Sequence, residues 1–196
     1  MEDETDHDIE DLFEDFPSMR SVAPFLKVAE KVRWFRSLGE RPHAYSVGLA
    51  RDYADILGFP DADPVFLPEW EDAAYAAENP EINSSAWEAE EQLRASLTDD
   101  VLLAIDEDTL NMVMTHIAQT VTPAIDAAAQ EAKEFLRIED DEFVQAAAGA
   151  AAQACYQAAL VGMANPEDDH PFVKRFQLFE QGHWPIAIIG NSFLIY

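Results

Sequence analysis

Positive charge is what this chain has least of. Twelve Lys and Arg stand against 39 Asp and Glu, a net charge of −27 over 196 residues. Phosphate contacts supply most nucleic-acid affinity and need bases, so direct DNA or RNA binding is excluded as an expectation. The same field repels anionic lipid. Cysteine is nearly absent: Cys155 stands alone, so no disulfide closes within the chain and no Cys-based zinc site is available. No long apolar run exists either. The least polar stretch, residues 146–164, is mostly alanine and is broken by Gln153, Gln157 and two glycines, a poor bilayer span. The opening Met1-Glu-Asp-Glu-Thr-Asp-His-Asp8 is the reverse of a basic, then apolar, leader. The expectation is a cytoplasmic protein that does not enter membranes.

Apolar residues are plentiful. They make up 48% of the chain and include 12 Phe and 4 Trp. A chain of this length buries roughly 70% of its unfolded surface, so the fold needs no metal, cofactor or cross-link. The expected organisation is an acidic amphipathic segment over 1–16 and one helical domain over 17–196.

The acids are unevenly spread. Residues 1–16 carry nine acids and no base, and 17–51 carry seven bases against two acids. Residues 52–142 carry 24 acids against three bases, a net of −21. Within the first block Ile9, Leu12, Phe13 and Phe16 recur at helical spacing. That stripe is expected to dock on the chain's own basic segment. The alternative is a helix that enters the groove of a basic partner.

Periodicity and punctuation predict about seven helices. The first runs from a Ser21 cap to Leu38, with Val28, Val32 and Phe35 on its apolar face. The second spans 44–57 and stops at Gly58. Others cover 69–79, 85–97 (from the capping box Ser85-Ala-Trp-Glu88, followed by a turn over 98–105), 107–136, 141–163 and 171–182. Asp106 and Asp140 are expected caps, and Pro123 is expected to kink or break the longest helix near 121–122. The alanine-rich helix should be the central one, because small side chains let neighbours approach closely. Residues 185–196, turning at Gly190-Asn191, read as a β-hairpin, with 65–67 the candidate third strand. The fold class expected is mainly α: a helical bundle of about seven helices with a C-terminal β-hairpin.

Motifs for chemistry are sparse. Asp106-Glu-Asp108-Thr109 after apolar 101–105 resembles the nucleophile loop of the haloacid-dehalogenase-type phosphotransferases. That resemblance implies a strand delivering Asp106. Leu110 stands where the family carries Thr, no glycine loosens the loop, and Lys133 and Asp140-Asp141 lie on helical stretches. A helix cap with an acidic first turn is the expected role. Glu40–His43 and Glu167–His170 have the Glu-x-x-His spacing of helical metal sites, but each lies in a connection beside a proline, so no metal is expected. His116 is the one mid-helix histidine, and Cys155 reads as an inert thiol among alanines. His183-Trp184 at the hairpin junction reads either as a recognition patch or as a plug in the core.

Three functions follow as expectations. The first is an acidic protein-binding module that blocks or escorts a basic protein, as inhibitors, immunity proteins and antitoxins do, with nucleic-acid mimicry as a subtype. Its interaction candidates are Ile9, Leu12, Phe13, Phe16, Asp106, Asp108, His183 and Trp184. The second is an enzyme whose site assembles from distant residues in a concave pocket. The third is a domain whose acidity reflects an acidic proteome, with evenly spread acids and no apolar surface patch. The basic segment also admits pairing with residues 52–142 of a second copy, a homodimer.

Overall fold

The computed structural model describes residues 19–78, 84–164 and 169–196. The stripe Ile9, Leu12, Phe13 and Phe16 lies outside them. Of the described residues 66% are helical, in seven helices, and the rest include one three-stranded sheet. In order these are α1 (Val22–Ala29), α2 (Ala44–Leu57), β1 (Asp63–Phe66), α3 (Trp70–Ala77), α4 (Ser84–Leu102), α5 (Glu107–Leu136), α6 (Phe143–Ala164), α7 (Pro171–Glu180), β2 (Pro185–Ile189) and β3 (Ser192–Ile195).

The alanine-rich α6 is central, packing against α1, α4, α5 and α7. Ala147, Ala151, Ala154, Cys155, Ala158 and Ala159 are buried along it. Close approach is visible at Gly162, where an added Cβ would meet the Ser21 hydroxyl at 3.1 Å. α5 buries Leu110, Val113, Ile117, Val121, Ile125 and Ala129 at spacings of three and four, one stripe over the length of the helix. It runs through Pro123 as one element, so the expected break does not occur.

The first helix is shorter than expected. Val22, Leu26 and Ala29 face the core, and the same phase continued would bring Arg33 and Arg36 inward. The chain instead leaves the helix after Ala29, and Phe35 adopts φ 58°. This break lets Trp34, Phe35 and Leu38 enter the core together and leaves Val28 exposed. Conversely, α4 continues past Leu97 to Leu102. Leu97 and Val101 bury one turn apart, which carries the helix on, and the Thr98 hydroxyl within it donates to the Arg94 carbonyl at 2.9 Å.

The hairpin forms where expected. Gly190 has φ 54°, while Asn191 does not have positive φ, which selects a type II′ turn. β1 joins β3 in parallel, Asp63 opposite Ser192 and Phe66 opposite Ile195, giving strand order β1-β3-β2. Phe193 and Ile195 point into a second, smaller cluster with Leu49, Tyr53, Leu57 and Leu178.

An aromatic cluster joins the hairpin to the helices. Trp184 stacks on Trp70 with ring centres 5.5 Å apart, and Phe143 meets both edge-on. Trp70 also donates its indole N–H to Asp140 at 2.8 Å. The same carboxylate accepts the Glu142 N–H at 2.8 Å, so it closes the turn ahead of α6 and anchors α3 at once; α6 itself starts later than expected, at Phe143, and Asp140 is not its cap residue.

Candidate functional site

Two features stand apart from the packing: an acidic corner between α4 and α5, and a buried polar cluster beside the sheet.

The corner is built by burial on one side and exposure on the other. Val101, Ile105 and Leu110 go into the core and pin the turn. Asp106 then starts α5 by accepting the Thr109 N–H at 2.7 Å. Its bonds from Thr109 hold the carboxyl below its ordinary pKa, so it is firmly ionised. What points outward is Asp99, Asp100, Leu102, Leu103, Asp106, Glu107 and Asp108, all exposed. Leu103 is 88% exposed. No Lys or Arg lies between Arg94 and Lys133. Acids at the start of α5 favour the positive end of the helix dipole, so these charges suit the fold that carries them. No strand delivers Asp106, which removes the context that phosphotransferase chemistry requires.

The buried cluster was not legible as a motif. Arg175 of α7 donates through Nη1 to both oxygens of Glu90 of α4, at 2.9 and 2.8 Å. Tyr53 of α2 donates its hydroxyl to Glu90 as well. The Arg175 Nε is buried without a partner. Burial first, then the Glu90 charge, raise the Tyr53 pKa well above its usual value, so its proton stays on. The cluster borders a partly open cavity of about 200 Å³ lined also by Pro185–Ile188 of β2 and by Trp87. A signal existed: Arg175 falls on the same helical face as Phe172, Phe176 and Phe179. A base on an apolar face needs a buried acid, but nothing local says which of 39 acids supplies it.

The other candidates scatter. His183 and Trp184 are 2% and 6% exposed, so the junction is core and not a surface patch. A plug is what the fold needs there, because the last helix and the hairpin leave a gap that only a large ring fills. The His183 ring meets the edge of Phe66 at 5.0 Å. Burial, with His43 beside it, pushes its pKa down to about 4. Cys155 is fully buried and its thiol is pushed up to about 12 by burial. His116 is half-buried on α5. His170 caps α7, its Nδ1 accepting the Phe172 N–H at 3.1 Å. Among the described residues, no group of three His, Cys, Asp or Glu is placed to hold a metal, and no helix is long and apolar enough to cross a membrane.

No family model, curated protein or solved structure matches the chain.

Proposed function

We propose that the protein is an acidic binding module that blocks or escorts a basic protein, in the manner of an inhibitor, immunity protein or antitoxin. The α4–α5 corner is its contact. The observation that carries this reading is Leu103, 88% exposed and flanked by Asp99, Asp100, Asp106, Glu107 and Asp108. An apolar anchor inside a ring of acids suits a cationic surface that itself presents an apolar pocket. The acids speed and orient the encounter, and the leucines hold the complex once water is expelled. An acidic-proteome domain accounts for the acids, and single exposed apolar residues are ordinary; what favours binding is Leu102 and Leu103 exposed side by side within the acidic run. The enzyme reading gains less support: the shifted His183 and Cys155 line neither cavity, and burial keeps the Tyr53 proton in place.

The test is capture of binding proteins from native lysate at low salt by the full chain and by two variants. Leu103→Ser removes the anchor. Asp106→Asn with Asp108→Asn removes two charges while Asn keeps the cap. One basic protein retained at unit stoichiometry, released by salt and lost with both variants supports the reading. The same protein held equally by all three chains places the contact elsewhere. No basic protein at unit stoichiometry sinks the proposal.

A further inference from the structure

An open groove of about 920 Å³ lies between residues 32–40 and the C-terminal half of α5. Its floor is apolar, with Trp34, Leu38, Ala128 and Ala132 among its lining, and Phe135 stands at it 82% exposed. One lip carries Arg33 and Arg36, both exposed. These two belong to a larger set. Arg20, Lys27, Lys31, Arg33, Arg36 and Arg41 are all exposed, and none forms an ion pair among the described residues. With Arg137 they make seven of the chain's 12 bases without an ion pair among the described residues, in a protein that carries 39 acids.

We propose that this groove is the docking site of the chain's own acidic segment, residues 1–16. Three observations select that occupant. Its charge is complementary to residues 20–41: nine acids and no base stand against six exposed bases, two of which, Arg33 and Arg36, line the groove. Its apolar pattern is complementary: Ile9, Leu12, Phe13 and Phe16 make a helical stripe of the kind an apolar floor with an exposed phenylalanine accepts. It is also tethered. Phe16 lies only three residues before Met19, which is buried just ahead of α1, so the segment is held close to the exposed bases that follow at high effective concentration. Glu40, Glu131 and Glu134 line the groove as well and resist an acidic occupant, the last two from α5. Removing their charge should therefore tighten docking, an outcome that nonspecific attraction to the bases does not require. This inference stands independently of the partner proposed above.

The experiment uses the full chain, as an equal mixture of ordinary and 15N-labelled protein, treated with a zero-length carbodiimide that joins lysines to carboxylates. The expected links join Lys27 or Lys31 to acids of residues 1–16, within chains of one isotope. Phe13→Asp, or Arg33→Glu with Arg36→Glu, should cut their yield about fivefold, the equivalent of roughly 1 kcal/mol. Glu131→Gln with Glu134→Gln should raise it. These are surface or segment positions, so an unchanged thermal melt checks the fold. Mixed-isotope links would overturn the proposal by assigning the segment to a second copy. Links only to Lys133 or Lys174, no links, or a yield indifferent to the variants would overturn it too.

Discussion

Arg175 and Glu90 are 85 residues apart in sequence, yet one guanidinium nitrogen contacts both carboxylate oxygens, at 2.9 and 2.8 Å. The pair ties α7 to α4 beside the sheet. Removing one partner leaves the other charge buried, so Glu90→Ala should lose about 3–5 kcal/mol in urea unfolding. Glu90→Leu with Arg175→Met removes both charges and should recover most of that loss. Tyr53→Phe deletes a single donor and should cost about 1 kcal/mol. A double variant as unstable as Glu90→Ala would show that the ion pair itself, and not the stranded charge, sets the stability.

That pair also marks where sequence reading stops. Elements with local punctuation were legible: α2 ends at Gly58 with φ 97°, α5 starts at Asp106, and the hairpin turns at Gly190. Local rules failed where tertiary packing chose between them. Nothing in 30–38 announces that Phe35 turns left-handed to bring Trp34 and Leu38 inward. For the candidate site, Asp106 and Asp108 were legible because a base-free acidic run is visible in one dimension. Leu103 was not, since its exposure depends on Val101 and Ile105 taking the core side of the turn. The Tyr53–Glu90–Arg175 cluster needs three helices, and no spacing rule joins them.

Cys155 offers a direct probe of opening. It is fully buried on α6, and burial raises its thiol to about 12. A thiol reagent at pH 8 should leave the native chain almost unmodified and react fully in concentrated urea. The slow native rate then reports opening of the α6 packing. Prompt stoichiometric labelling under native conditions would show that α6 is not the sealed centre of the bundle.

Gly182 sits at φ 86°, and an added Cβ would lie 2.8 Å from the Ser37 nitrogen and 2.6 Å from Arg36 Cγ. The same glycine's carbonyl accepts the Ser37 N–H at 3.1 Å, fastening the 34–39 turn to the end of α7. Gly182→Ala should thus suffer both left-handed strain and a backbone clash, costing at least about 2–3 kcal/mol. Gly190→Ala, at φ 54° with open space around it, carries only the conformational part, about 1 kcal/mol. Equal losses in the two variants, read from thermal melts, would remove the close approach as a cause.

His183 should make the fold acid-sensitive in a definite window. Desolvation is the main cause that lowers its pKa to about 4, His43 and Arg36 add repulsion, and a hydrogen bond to the Ser37 backbone opposes them. In the unfolded chain the ring has its ordinary value of about 6.5. Between these two values the unfolded state binds a proton that the folded state refuses, so stability falls as pH drops from about 6.5 towards 4. Above that window the ring is neutral in both states and contributes no slope. The surface works the other way, because protonating carboxylates on a chain of net charge −27 relieves repulsion. The two effects separate by difference. Urea midpoints for the native chain and His183→Gln, compared at pH 7 and pH 5, should show a loss at pH 5 in the native chain that is smaller in the variant. Gln cannot take up a proton, while the carboxylates are common to both chains. Parallel pH profiles would mean that His183 is reached by water and titrates normally, against its burial at the junction.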